Sequence, residues 1–194
     1  MRNLVRGLAL VAVCALAAAC GKAPAEQALK AADTALEAAR PDVEKYVPAE
    51  LGPLESAASA AKAQFEKGDY AAALKSAQDL LPRIQPAVAA AKAKKDELMA
   101  SFNLMKDSLP GLVEGLTARV TELAALKKLP KGIDKAAVTA AQADLGDVTK
   151  GWGDALATFG RGDVVQAVEA ATKVKTKVEE MTRALAPPAP AAGK

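Results

Sequence analysis

Apolar residues recur at alternating spacings of three and four along almost the whole chain. The first run is Ala25, Leu29, Ala32, Leu36, Ala39, Val43 and Tyr46, followed by Leu54, Ala58, Ala61 and Phe65. The longest runs Tyr70, Leu74, Ala77, Leu81, Ile84, Val88, Ala91, and on through Leu98, Phe102, Met105 and Leu109. Leu112, Leu116, Val120 and Leu123 form another, Val138 to Phe159 the next, and Val164 to Leu185 the last. Each stripe predicts a helix with one narrow apolar face. No strand-like alternation occurs, so helices must cover helices. Alanine supplies about a quarter of the residues, which favours the same reading.

The interruptions divide the chain. Pro41, Pro48 and Gly52-Pro53 break the first region, and Gly68-Asp69 joins two helices. Ser108-Leu109-Pro110 offers a cap followed by a first-turn proline. Leu129 to Gly132 reads as a loop, and Asp134 is placed to cap the next helix. Pro82 and Pro86 fall within the longest stripe, where each proline costs about 3 kcal/mol. The stripe stays in phase across both, which favours one kinked helix over two helices broken near Leu81. The expected fold is therefore all-α: an elongated helical bundle with a long central helix. Its predicted parts are a leader over 1–19, an N-terminal helical region over 20–128 with a first hairpin at 49–108, a second hairpin at 133–185 packed with the first, and a flexible Pro/Ala tail over 186–194.

Two segments repeat at an offset of 94 residues. Leu51-Gly52 matches Leu145-Gly146, Ala61 matches Ala155, and Phe65-Glu66-Lys67-Gly68-Asp69 matches Phe159-Gly160-Arg161-Gly162-Asp163. Ala73 and Ala77 match Ala167 and Ala171. Each copy reads as helix, tight Gly-Asp turn, helix, with glycine closing the first helix and aspartate opening the second. The run Phe65 to Leu74 resembles the turn between the two helices of a tetratricopeptide repeat. Such repeats recur at about 34 residues, so the resemblance implies related hairpins and no peptide-binding array. Tyr46-Val47-Pro48-Ala49-Glu50-Leu51 with the hairpin behind it also resembles a group of Ala-rich helical bacterial lipoproteins of unassigned function.

The N-terminus points to an address. Arg2 and Arg6 flank an apolar run from Leu4 to Ala19 that ends in small residues before Cys20, the layout of an export signal. Leu16-Ala17-Ala18-Ala19-Cys20 resembles the lipobox of bacterial lipoproteins, with the leucine one place early. That resemblance implies cleavage before Cys20, acylation of its thiol and stable anchoring of the protein to a membrane. Gly21-Lys22, with no adjacent aspartate, implies by the same resemblance the periplasmic face of the outer membrane.

Charge and chemistry narrow the function. Of 26 basic residues, Arg2 and Arg6 leave with the leader, so 24 face 23 acidic ones. No basic stripe suggests nucleic acid. Histidine is absent, and the second cysteine, Cys14, lies in the leader. Cys/His metal sites and Cys–His catalysis are thereby excluded from the mature chain; no cofactor and no enzymatic activity are expected. Trp152, between Gly151 and Gly153, and Phe159 are the candidates for a ligand or interface site, against the simpler reading of Trp152 as core. Met99, Met105 and Met181 read as core packing. Lys194 ends the Pro/Ala tail. The major small outer-membrane lipoprotein of enteric bacteria has a similar outline, which implies a wall-linkage role for such a lysine. The expected function is a lipid-anchored structural or interaction module of the cell envelope with a protein partner. The alternative is a carrier holding a small apolar or lipid-like ligand between helices. The stripes do not distinguish seams within one chain from seams between chains, and so leave the oligomeric state open.

Overall fold

The computed structural model describes the backbone of residues 2–186 and the side chains of residues 21–186. The readings placed on the leader side chains, Cys20 and Lys194 lie outside the described residues. The chain forms α1 (Arg2–Tyr46), a 3-10 turn (Pro48–Glu50), α2 (Leu51–Glu66), α3 (Tyr70–Ala125), α4 (Lys135–Gly160) and α5 (Val164–Ala184). No strand occurs among the described residues. The class is all-α, and α3 is the long central helix.

Prolines interrupt the helices less than expected. Pro41 lies inside α1. Pro82, Pro86 and Pro110 all lie inside α3, so the chain does not start a new helix after Ser108. The physical reason is their position: all four are exposed, as are Glu37, Gln78, Pro82 and Lys106, the residues four places earlier whose carbonyls lose a donor. Those carbonyls lie on the solvent side, where water replaces the missing bond. The seam supports the continuity, since Phe102, Met105, Leu109, Leu116, Val120 and Leu123 are all buried across the expected break.

The chain divides into two compact units, Met1–Lys94 and Lys95–Lys194, with the boundary inside α3. In the first unit α1 packs on α2. The seam is built from Ala25, Ala32, Leu36, Ala39 and Val43 of α1, Leu54, Ala58 and Ala61 of α2, and Ala73, Ala77, Leu80, Ile84, Ala87 and Ala91 of α3. Lys62 Nζ meets Asp33 Oδ2 at 2.8 Å, and Arg40 pairs with Glu55, across α1 and α2. Ser76 Oγ donates to Gln64 Oε1 at 2.8 Å across α2 and α3. The seam on α3 keeps Ala77, Ile84 and Ala91 of the predicted stripe but shifts its other row by one position: Ala73, Leu80 and Ala87 are buried, whereas Leu74 and Leu81 are half-buried and Val88 is 42% exposed. Side-chain size fits the shift. Ala61, Ala73 and Ala77 are each 0% exposed, and methyl-sized side chains at buried positions let two helices pack closely.

The second unit has a core of larger side chains. Phe102, Leu109, Leu116, Val120 and Leu123 of α3 cluster with Val138 and Val148 of α4 and Val174, Val178 and Met181 of α5. Met105 and Met181 are core as expected; Met99 (37%) and Leu112 (45%) are exposed. Asp134 caps α4, accepting from Ala136 N at 3.1 Å, and Lys177 Nζ meets Asp144 Oδ2 at 2.7 Å across α4 and α5.

The two units share a repeated hairpin. Gly68 and Gly162 have φ of 81° and 83°. Gly68 N donates to Phe65 O at 3.0 Å and Gly162 N to Phe159 O at 2.9 Å; Asp69 N donates to Gln64 O and Asp163 N to Thr158 O. Both turns are thus the same left-handed glycine helix stop. Burial keeps the 94-residue register: Ala61, Ala73 and Ala77 match Ala155, Ala167 and Ala171, and Leu80, Ile84 and Ala91 match Val174, Val178 and Leu185, all buried. The first helices correspond as well, at an offset of 77, since Ala25, Ala32, Ala39, Val43 and Tyr46 match buried Phe102, Leu109, Leu116, Val120 and Leu123. With offsets of 77 and 94, the second copy carries 17 additional residues between its first helix and its hairpin. Each unit is therefore three helices, and α3 closes the first unit and opens the second.

Candidate functional site

Beside the shifted row of the α3 seam, the first unit leaves an open apolar surface. Burying Leu80 and Ala87 turns Leu81, Pro82 and Val88 away from α2 and toward α1. There α1 offers only Ala35, Ala38 and Ala39, too small to fill the space. A groove of 670 Å³ results, floored by Ile84 and bordered by Asp42 on α1 and Gln85 on α3. Its walls are mostly hydrocarbon, and among the described residues Asp42 is the one carboxylate that lines it.

The second unit shows how differently the same position can be occupied. At the matching offsets, Ala35, Ala38 and Asp42 correspond to Leu112, which is 45% exposed, Gly115 and Arg119, and Leu81, Pro82, Gln85 and Val88 correspond to Lys175, Thr176, Glu179 and Thr182. The second copy thus carries charge there, with Lys175 Nζ 3.8 Å from Glu179 Oε1 and Arg119 Nη1 3.0 Å from Glu122 Oε2.

Trp152 and Phe159 come together on α4, and both rings pack on Phe102 of α3. Phe102 and Phe159 stack with centroids 4.1 Å apart and planes 3° from parallel. Phe102 and Trp152 stack at 5.9 Å and 22°. Phe102 is fully buried, whereas Trp152 and Phe159 are half-buried at the edge of the core. In the first unit the matching Phe65 instead meets Tyr70 edge-on at 5.1 Å. Val164 and Ala25 mark the exchange: where the second copy lacks the tyrosine on its third helix, it gains Phe102 on its first. The flanking glycines differ in role. A Cβ at Gly151 would stand 3.0 Å from Val174 Cγ2, so Gly151 admits α5 rather than the indole; Gly153 faces open space.

A smaller groove of 360 Å³ lies between α4 and α5, bordered by Asp147, Asp154, Lys173 and Lys177. The hydrogen bond to Asp144 raises the Lys177 pKa above its ordinary 10.5, outweighing an opposing desolvation effect. Among the described residues no group of acids, histidines or cysteines is arranged to hold a metal ion, and no polar or charged residue is buried. No helix among the described residues is long and apolar enough to cross a membrane.

Sequence reasoning reached Trp152 and Phe159 but missed Phe102 as their partner, and missed the groove. The repeat itself held the second signal: aligning Leu81 with Lys175 and Val88 with Thr182 marks the outward positions of α3. Comparison with protein-family models, curated proteins and solved structures finds no match.

Proposed function

We propose that this chain is a lipid-anchored helical interaction module of the bacterial cell envelope, held at the periplasmic face of the outer membrane through acylated Cys20. The address rests on the resemblance of Leu16–Cys20 to a lipobox. The interaction role rests on one observation above the others: a three-helix unit with a closed, Ala-lined seam leaves an apolar groove open on its surface. Closely packed alanine seams give a rigid platform, and an exposed concave apolar face on such a platform suits recognition of another helix. The alternative, a carrier with its ligand against Trp152 and Phe159, needs space that Phe102 fills, so the interaction reading is preferred. In this reading the chain performs no catalysis of its own; Lys194 as a point of wall attachment is a separate and weaker element.

The test is affinity capture of the native chain from crosslinked cells, read by mass spectrometry, beside a Cys20→Ala control. The expected result is a reproducible envelope protein that the control loses. Capture of a lipid or muropeptide with no protein partner overturns the interaction reading.

A further inference from the structure

We propose that the groove between α1 and α3 of the first unit docks a basic amphipathic helix of a protein partner, with a Lys or Arg of that helix seated on Asp42. The proposal rests on the interaction reading above and gives the partner its chemistry.

The fold does not require the groove to be apolar. The second unit is an internal control, built from the same turn, the same alanine contacts and the same buried register. At the positions of Leu81, Gln85 and Val88 it carries Lys175, Glu179 and Thr182, solvated and in part ion-paired. A three-helix unit of this design is therefore complete with polar side chains on its third-helix wall, although on the first-helix wall the second copy carries exposed Leu112 where the first has Ala35. Exposing Val88 and Pro82 brings no folding benefit, and large exposed apolar groups in a concave setting mark contact surfaces.

Shape selects a helix. The groove runs from Ala35 to Asp42 on α1 and from Leu81 to Val88 on α3. Seven residues of helix span about 10 Å, or two turns. The walls are two helices, and the alanines on the α1 side let a third backbone come close. A trough of that kind takes the i, i+3, i+4 and i+7 positions of one apolar helix face.

Charge selects the sign. Asp42 is the only acid lining the groove, and it has no ion-pair partner among the described residues. A carboxylate at the edge of a hydrocarbon trough repels a fatty acid or an anionic lipid headgroup. It attracts a cation carried at the end of an apolar stripe, and a charge on the exposed rim sets orientation and register more than affinity.

The experiment places the photo-crosslinking residue p-benzoylphenylalanine in the full chain, in cells, at position 88, at position 104 and at position 182. Position 104 holds Leu104, which is 72% exposed, and position 182 is the repeat equivalent of 88. The expected result is a protein adduct at 88 at least tenfold above 182. Its crosslinked peptide should map to an amphipathic helix with a Lys or Arg within about one turn of the adduct. Asp42→Lys should cut the yield about tenfold and Asp42→Asn by less. Changing the partner's basic residue to Glu should restore the yield with Asp42→Lys. A lipid adduct, an adduct to a second copy, or no adduct at 88 overturns the proposal. If 88 fails while 104 captures a protein, the groove is wrong and the interaction reading stands; failure at all three positions overturns both.

Discussion

Gly68 and Gly162 are the same residue of one repeated turn: φ is 81° at the first and 83° at the second, and each N–H donates to the carbonyl of a phenylalanine three residues back. An L side chain in that region costs about 1–2 kcal/mol. A Cβ at either glycine meets no atom within 4 Å, so the backbone strain acts alone. Gly68→Ala and Gly162→Ala are each expected to lose about 1–2 kcal/mol in urea unfolding. A loss below 0.5 kcal/mol would show that the left-handed stop is dispensable.

Gly151 and Gly153 separate close approach from helix propensity. Both lie inside α4, where Gly→Ala is worth about 1 kcal/mol of stability. At Gly153 nothing opposes the gain, so Gly153→Ala should raise stability by about that amount. At Gly151 the new methyl meets buried Val174 at 3.0 Å, and a β-branched side chain cannot turn aside cheaply. Gly151→Ala should fall below Gly153→Ala by at least about 1 kcal/mol in the same thermal or urea melts.

Much of this architecture is legible in the chain because helix stripes, glycine stops and repeated alanines are local signals. The Gly68-Asp69 and Gly162-Asp163 turns and the paired alanines stand where the repeat puts them. Two things were not legible. The continuity of α3 through Pro110 depends on which side of the helix faces water, and a proline reads the same on either side. The shift from Leu81 to Leu80 depends on how α2 and α3 pack around Ala61, Ala73 and Ala77, which no stripe encodes. The groove lies beside that shifted row, and the aromatic stack follows from Phe102, whose partners lie 50 and 57 positions away in the chain.

Phe102 anchors the only tryptophan. Removing a buried phenylalanine from a packed core costs about 3–5 kcal/mol. Phe102→Ala should therefore destabilise the second unit by about that amount. It should also shift the Trp152 emission to the red, since the indole loses the ring it stacks on. Unchanged emission with lost stability would mean that Trp152 takes its environment from α4 and α5 alone.

The Lys177–Asp144 pair sets a pH signature at the alkaline end. The folded-state pKa of Lys177 is raised, so its contribution is fully present below the ordinary 10.5 and is lost as pH rises through the folded value. Asp144→Asn removes the main cause of the shift. The stability gap between the native chain and Asp144→Asn should hold from pH 8 to about pH 10 and narrow above 10.5. Urea unfolding at pH 8 and pH 11 reads this directly, and a gap that widened at pH 11 would reverse the assigned sign.

The seam itself can be tested by exchanging residues between the copies. Leu80 is 1% exposed and Val88 is 42% exposed, although the periodicity of the sequence places Val88, and not Leu80, on the apolar stripe. If Leu80 holds the first unit together, Leu80→Ala should cost about 2–4 kcal/mol through lost burial and the cavity left behind. Val88→Thr installs the residue that the second copy carries at this position, and should change stability by no more than about 0.5 kcal/mol, as surface changes do. The contrast is the diagnostic, because a stripe in the predicted phase would give the opposite order. A large loss for Val88→Thr with a small one for Leu80→Ala would move the seam back by one residue and close the groove. The observed burial predicts a unit that keeps its stability while its groove loses an apolar contact.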